Sequence, residues 1–205
     1  MLEVSNLECA RGGRTLFAGL SFALNPGAWL HLRGPNGAGK TSLLRILCGL
    51  TQPVSGAISW RGQPVAADRA RYRAALFYLG HQLALNDALS VGDNLRFCAA
   101  LAGDPCPDEV LRRALASFGL RGLERRPVRN LSWGQRRRVA LARLAFTRSW
   151  LWILDEPFVA LDAGATRLLG DLVAGHLERG GLAVITSHQD VAIGGRAPEV
   201  LELAA

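Results

Sequence analysis

The chain has 205 residues, enough for one full hydrophobic core and too few for two independent domains. Apolar residues make up 49% of the chain and charged residues 20%, the balance of an ordinary globular protein. No apolar run approaches the roughly 18 residues that cross a bilayer, and the N-terminal sequence MLEVSNLECA has no charged segment followed by an apolar one, so we expect a cytoplasmic chain without an export signal.

The formal net charge of +7 is compatible with a nucleic-acid partner, because arginines cluster at 125–129 and 136–138. However, aromatic residues that would stack on bases are not interleaved with these arginines. A solvated helix face, or a docking surface near anionic lipid, accounts for the same arginines. We therefore expect no nucleic-acid partner.

The first predicted strand covers residues 28–32 and leads directly into RGPNGAGKTS, residues 33–42. Gly34, Gly37 and Gly39 allow backbone angles that side chains forbid, so the loop amides can turn toward one point. A helical pattern, LLRIL, follows the loop. A nest of amides at a helix N-terminus suits a polyphosphate, although an ordinary glycine-rich turn has a similar composition.

Lys40 favours the phosphate-binding alternative, because it is the only lysine in the chain. A compact charge on a flexible stem reaches the β- and γ-phosphates of a nucleotide, and a planar guanidinium does not replace it. In the pattern G-x-x-x-x-G-K-[ST], the hydroxyl of Thr41 is then offered to Mg²⁺. The sequence predicts a phosphate-binding loop made of Gly34, Pro35, Asn36, Gly37, Ala38, Gly39, Lys40, Thr41 and Ser42.

Further along the chain, strand patterns near 75–79, 150–154 and 182–186 alternate with helical stretches. Between the first two of them, residues 90–118 carry two helical patterns that end at glycine. This order is typical of an α/β fold with a largely parallel sheet and a small inserted helical lobe. We expect a single domain over residues 1–205, with a core of about 1–82 and 149–205 and a lobe of about 83–148.

The run WLWILDE, residues 150–156, is an apolar strand pattern that ends in two carboxylates. Parallel sheets bind ligands at the carboxyl ends of their strands. Asp155 therefore suits Mg²⁺, usually through water, and Glu156 suits a general base that polarises an attacking water. A strand end that happens to be acidic is the alternative, and the preceding phosphate-binding loop argues against it.

The segment NLSWGQRRRVALARL, which begins at residue 130, predicts a helix through Arg136 to Thr147. Ser132 and Gln135 have the S-x-x-Q spacing of a capping box, and the helix N-terminus exposes free amides at Gly134. These features indicate either a second anion site or simple helix capping, and the spacing alone favours capping.

LSWGQ resembles the LSGGQ signature of ATP-binding cassette (ABC) transporter ATPases. The other motifs of that family occur in its order between Gly34 and His188: GPNGAGKT resembles the Walker A loop and LWILDE the Walker B strand. Gln82 in LGHQ matches the Q-loop, Asp162 in ALD the D-loop, and the histidine of ITSH the switch histidine. The resemblance implies a P-loop NTPase core of the ABC-ATPase type that hydrolyses ATP with Mg²⁺.

The resemblance also implies roles for individual residues. Glu156 and His188 would be catalytic, with His188 touching the γ-phosphate, and Gln82 would join Thr41 and Asp155 around Mg²⁺. Two copies of the chain would pair head to tail, so that each copy serves the ATP held by the other. The residues implied to act across this dimer are Ser132, Gly134, Gln135 and Asp162, although Asp162 also fits a plain turn or capping aspartate.

The chain departs from the family pattern at two places. Trp133 occupies the first glycine of LSGGQ, while Gly134 is retained. In addition, the family tends to stack an aromatic residue on adenine from a loop before Walker A, and here CARGGR has no aromatic until Phe17. Arg11 or Arg14 would replace that stacking by a cation–π contact.

Within the family, the chain is most similar to the haem-exporter ATPase of bacterial cytochrome c biogenesis. The similarity lies in RTLFAGLSFALNPG, RRVALARL, LWILDEPFVALD and an end soon after ITSHQ. It implies a peripheral subunit on the cytoplasmic face of the inner membrane, where two copies dock on multi-pass permease subunits and support haem delivery to a periplasmic chaperone. An ABC ATPase of a drug or lipid exporter is the alternative. A soluble ABC protein acting on DNA or ribosomes would be expected to carry a long coiled coil or a second cassette.

Overall fold

The computed structural model describes residues 1–188 and 190–204, so Gln189, the last residue of ITSHQ, and the C-terminal Ala205 lie outside the described residues. The chain divides into two units. The first contains Met1–Gly80, Ser149–Pro157 and Ala174–Ala205, and the second contains His81–Arg148 and Phe158–Val173.

The strands and helices follow in chain order. The strands are β1 (Leu2–Arg11), β2 (Arg14–Leu24), β3 (Trp29–Arg33), β4 (Ser55–Trp60), β5 (Gln63–Pro64), β6 (Leu76–Leu79), β7 (Leu151–Leu154), β8 (Leu182–Thr186) and β9 (Glu199–Glu202). The α-helices are α1 (Lys40–Leu47), α2 (Arg69–Ala74), α3 (Val91–Ala102), α4 (Asp108–Ser117), α5 (Trp133–Ala142) and α6 (Ala163–Glu178).

A five-stranded sheet in the first unit has the order β6-β7-β8-β3-β9, and all its pairs are parallel. Strands β7 and β8 are buried at every position, which is why their sequences are continuous apolar runs. The strands expected near 28–32, 75–79, 150–154 and 182–186 are confirmed as β3, β6, β7 and β8. The expected α/β fold class is thus confirmed.

A second, four-stranded sheet in the same unit has the order β2-β1-β4-β5 and is antiparallel. We did not predict it from the sequence. The apolar residues of β1 are spaced by two at Leu2 and Val4 and again at Leu7 and Cys9, but a register shift lies between the two pairs. A bulge of this kind breaks the alternation that identifies a strand.

Helix α1 packs into the apolar core of this unit through its buried residues Leu43, Leu44, Ile46 and Leu47. The core also draws on both sheets, with Leu2 and Leu7 from β1 and Leu30, Ile153 and Val184 from the parallel sheet. Because β3, β7 and β8 run parallel, the loops that follow them leave the same edge of the sheet.

The second unit contains α3, α4, α5 and the first part of α6. Ser90 caps α3 by accepting a hydrogen bond from Asp93 N, and the helix ends at Gly103 with a φ of 71°. The capping box of α5 is confirmed, because Ser132 Oγ accepts from Gln135 N and Gln135 Oε1 accepts from Ser132 N. Helix α5 ends at Ala142 and continues only as a 3₁₀ turn over Arg143–Ala145, so it is shorter than expected. The sequence there contains no glycine or proline to signal the end.

None of the helices in residues 1–188 and 190–204 is long and apolar enough to span a bilayer.

Candidate active site

The glycine-rich loop joins β3 to α1 at the carboxyl edge of the parallel sheet. Gly34, Gly37 and Gly39 have φ values of 138°, 86° and 98°, which side chains disfavour. Gly39 is the N-cap of α1 and accepts a hydrogen bond from Leu43 N at 2.8 Å. The predicted arrangement, a loop with left-handed backbone angles at a helix N-terminus, is the geometry of an anion-binding nest.

Lys40, at the start of α1, folds back over this loop. Its Nζ donates to Gly34 O at 2.7 Å and to Pro35 O at 3.1 Å. The ammonium group therefore lies beside the loop, where a single flexible charge can meet a phosphate oxygen.

Close packing also requires glycine at position 34 and leaves little room for a side chain at position 39. A Cβ at Gly34 would lie 2.5 Å from the backbone oxygen of Leu203, and a Cβ at Gly39 would lie 3.2 Å from Phe17 and Leu16. Phe17 is thus the aromatic residue that contacts the phosphate-binding loop. Arg11 and Arg14, expected to replace an adenine-stacking aromatic, pair with each other across the end of β1 and β2 and are exposed. Their role at adenine stays a prediction.

Asp155, the first of the two carboxylates predicted at the end of β7, lies beside Thr41. Thr41 Oγ1 donates to Asp155 Oδ2 at 3.0 Å, and Asp155 is only 6% exposed. On its other side, Asp155 Oδ1 accepts from Thr186 Oγ1 at 2.8 Å. The structure thus brings together two of the three predicted Mg²⁺ ligands. Both offer hard oxygen atoms, as Mg²⁺ prefers, so the residues fit the ion.

Glu156 adopts a φ of 50°, an uncommon value for a residue with a side chain. Its N–H donates to Thr186 Oγ1 at 2.8 Å, which holds this turn after β7. Its Oε1 lies 3.4 Å from Nε2 of His188. The two residues expected to be catalytic are therefore neighbours at the sheet edge.

Thr186 is a site residue that we did not identify from the sequence. Its hydroxyl contacts both Asp155 and Glu156 and is fully buried. In the apolar run LAVIT, a threonine indicates a strand as readily as a site. The sequence feature that could have identified Thr186 is its position, two residues before the switch histidine.

The remaining predicted residues belong to the second unit. Gln82 is exposed in a bend just after the unit begins. Asp162 Oδ1 accepts from Ala165 N at 2.8 Å at the start of α6, and Asp162 Oδ2 lies 3.7 Å from Arg138. Asp162 is therefore a capping aspartate, which was the alternative interpretation of its sequence position. Its role across a dimer stays a prediction.

The signature loop of the second unit presents its N-terminal helix turn with Ser132, Gly134 and Gln135. A Cβ at Gly134 would approach Ala160 O to 4.0 Å, an ordinary contact distance. Trp133 is 52% exposed, and the guanidinium of Arg137 lies 5.5 Å from its ring centroid. The bulky indole is thus about half exposed and lies beside the Arg137 guanidinium.

A family model described as ABC transporter matches residues 17–159, which include the glycine-rich loop, the signature and both carboxylates. The chain belongs to the ABC transporter family. As a member of this family it is an ATP-binding protein and an ATPase coupled to transport.

Three relatives that are about half identical to this chain carry the same name. The cytochrome c biogenesis ATP-binding export protein CcmA of Albidiferax ferrireducens is 51% identical over 204 residues, with 100% of this chain and 97% of that relative covered. The protein of the same name from Aromatoleum aromaticum is 51% identical over 191 residues, with 93% and 89% covered. That of Escherichia coli O157:H7 is 49% identical over 189 residues, with 92% and 89% covered.

Solved structures of the ABC family share the fold. A putative ABC transporter ATP-binding protein from Pyrococcus furiosus superposes with a TM-score of 0.84 at 25% identity, covering 98% of this chain and 96% of the other. An ATP-binding subunit of an ABC transporter superposes with a TM-score of 0.81 at 28% identity, covering 91% and 79%. The ABC-type P-loop fold expected from the sequence is confirmed.

Proposed function

We propose that the chain is the ATP-binding and hydrolysing subunit of an inner-membrane ABC complex that supports haem export or delivery in cytochrome c biogenesis. The observation that carries this proposal is the similarity, at about half of all positions and over nearly the whole chain, to relatives named cytochrome c biogenesis ATP-binding export proteins. The ATPase activity itself follows from the family.

In this proposal the loop from Gly34 to Ser42 holds the phosphates of ATP through its amides and through Lys40. The left-handed backbone angles of the loop and the position of Nζ beside it support this role. Thr41, Asp155 and Gln82 would hold Mg²⁺, which neutralises charge on the phosphate oxygens when bound. The contact between Thr41 and Asp155 supports the first two ligands.

Glu156 acts as the general base. A water molecule attacks the γ-phosphorus as the bond to the β,γ-bridging oxygen breaks, and the Glu156 carboxylate accepts the proton of that water. His188 contacts the γ-phosphate. It also orients the neighbouring base, Glu156. The 3.4 Å separation of Glu156 Oε1 and His188 Nε2 supports this pairing.

A second copy of the chain completes each site. Ser132, Gly134, Gln135 and Asp162 of one copy would face the ATP held by the other, as in an ATP-sandwich dimer. The capping box supports this proposal, because Ser132 and Gln135 hold the N-terminal turn of α5 in a fixed form with Gly134 at its end. Anions are stabilised at such a turn by the helix dipole.

The chain would be peripheral on the cytoplasmic face of the inner membrane, docked on multi-pass permease subunits. It would act on the haem-delivery chaperone only indirectly, through those subunits. Residues 1–82 and 149–205 would form the nucleotide-binding core of one ABC ATPase domain, and residues 83–148 its helical lobe.

The site assignment is tested with two variants of the purified chain. We expect Lys40→Ala to weaken ATP binding at least tenfold, because the only lysine at the phosphates is lost. In contrast, Glu156→Gln is expected to bind ATP normally and to hydrolyse it at least about a hundredfold more slowly, because an amide does not accept the proton.

Equilibrium binding of ATP and the rate of phosphate release distinguish the two effects. Arg113→Met, which removes an exposed arginine that pairs with Glu109 on α4, is the control for a general loss of charge. Undiminished turnover in Glu156→Gln would remove its role as the base. Loss of haem-bearing c-type cytochrome in cells that carry either site variant is the result expected from the delivery role.

A further inference from the structure

Strand β3 places three side chains on one face, at alternate positions, in front of the glycine-rich loop. We call Trp29, His31 and Arg33 the β3 stripe. Trp29 and His31 are each 1% exposed and stack with ring centroids 5.6 Å apart. The indole Nε1 of Trp29 donates to Arg196 O at 3.2 Å. The stripe thus lies against the chain segment that follows β8.

His31 contacts the residue immediately before the switch histidine. His31 is paired with Ile185 in the sheet, and its ring extends past the end of β8 so that Nε2 lies 3.2 Å from Ser187 O. Ser187 is itself only 8% exposed. The backbone of the switch segment is therefore fixed from β3 one residue before His188.

Arg33 determines which nitrogen of His31 carries the proton. Arg33 Nε lies 3.1 Å from His31 Nδ1, and a guanidinium only donates. Nδ1 must therefore accept, so the proton of the neutral ring is on Nε2, where it is donated to Ser187 O. Burial lowers the pKa of His31, which favours the neutral ring that this arrangement requires.

Arg33 makes a second contact on the far side of His188. Its Nη2 forms an ion pair with the carboxylate of Asp190. Two contacts from β3 therefore flank the switch histidine: a buried hydrogen bond at Ser187 O and a solvent-exposed ion pair at Asp190, of which the buried one is the stronger constraint. His188 itself is 58% exposed in its side chain, so its own packing does not fix its position.

We propose that His31 and Arg33 are positioning residues for His188, which hold its backbone so that its imidazole meets Glu156. They act through His188 and do not touch the nucleotide. This inference rests on the proposed catalytic role of His188. It adds a hydrogen-bonded chain from Arg33 through His31 to Ser187, which the motifs of the family do not include.

The test compares two substitutions of His31. Asparagine places its amide near the Nδ1 position and removes the donor to Ser187, whereas glutamine can place its amide near Nε2 and retains a donor. In the purified full chain, we expect His31→Asn to lower kcat for ATP hydrolysis about tenfold with KM for ATP changed less than about twofold. We expect His31→Gln to restore most of kcat.

His176 offers a matched control in the same unit. It is also buried, and its Nε2 lies 3.1 Å from Leu182 O at the opposite end of β8. His176→Asn removes a buried histidine and its hydrogen bond without touching the switch segment, so we expect it to retain kcat even where it lowers the midpoint of thermal unfolding. An equal loss of kcat in His31→Asn and His176→Asn would overturn the inference.

The double variant His31→Asn/His188→Ala separates positioning from general damage. If His31 acts through His188, the double variant is no slower than His188→Ala alone. A further loss in the double variant, or wild-type turnover in His31→Asn beside a slow His188→Ala, would overturn the inference and leave the proposed role of His188 intact. Wild-type turnover in His188→Ala would instead contradict that role itself.

Discussion

The hydroxyl of Thr186 lies between the two carboxylate residues of the active site. It accepts from Glu156 N at 2.8 Å and donates to Asp155 Oδ1 at 2.8 Å. The left-handed backbone of Glu156 costs of order 1–3 kcal/mol and persists only when its surroundings hold it. A single buried side chain therefore holds both the strained turn and the carboxylate beside Thr41.

Thr186→Val keeps the shape of this side chain and removes the hydroxyl. Because Glu156 N–H and the Asp155 carboxylate each lose a buried partner, we expect the free energy of unfolding to fall by about 2 kcal/mol. We also expect kcat to fall at least about tenfold, since the base is displaced. Urea denaturation and ATP turnover measure the two effects. Thr186→Ser, which retains the hydroxyl, is the matched control, and equal behaviour of the two variants would contradict this account.

Residue types in a fixed order gave most of the candidate site residues, whose roles stay predictions. Lys40, Asp155 and Glu156 were identified because their chemistry is unusual at their positions, after a glycine-rich loop or at the end of an apolar strand. Thr186 and His31 were not identified, because both lie in buried strands where they read as strand residues. Their partners are 30 and 156 positions away in the chain, so only the folded structure reveals them.

Strands β1 and β4 meet at a bulge that the sequence pattern conceals. Asn6 has a φ of 49°, and a Cβ at Gly56 on β4 would lie 2.5 Å from Asn6 O and 2.6 Å from Leu7 Cα. Gly56 therefore allows the two backbones to approach where β1 is irregular. Strands β3, β7 and β8 of the parallel sheet, in contrast, are buried at nearly every position, and their continuous apolar runs were sufficient to predict them. Strand β9, at the edge of the same sheet, is mostly exposed and was not predicted.

Gly56→Ala tests this contact between strands. We expect it to lower the free energy of unfolding by at least about 3 kcal/mol, because a positive φ and a backbone clash act together. Gly62→Ala, in the turn between β4 and β5, is the control: its φ is 78° and nothing lies within 4 Å of the added Cβ. It should cost only about 1 kcal/mol. Equal shifts of the urea midpoint would show that the approach of β4 to the bulge carries no extra cost.

The order of the motifs along the whole chain was enough to predict the family and the fold. The phosphate-binding loop, the signature and the two carboxylates occur in the order typical of ABC ATPases, and the family match covers all three. The cargo has no comparable signal. His31 and His176 hydrogen-bond to backbone carbonyls inside the first unit. His31 thus contacts the switch segment, and His176 contacts the start of β8. A role in haem delivery would therefore reach the cargo through membrane partners.

We infer that ATP hydrolysis by this chain supports haem delivery to c-type cytochromes. The most direct measurement is the amount of haem-bearing c-type cytochrome in cells whose only copy of the chain carries Glu156→Gln, with wild type and Arg113→Met as controls at equal protein levels. We predict that haem-bearing cytochrome c is lost in Glu156→Gln while the apo-protein is still exported. Unchanged haem-bearing cytochrome c would contradict the account and leave an ABC exporter with a different cargo.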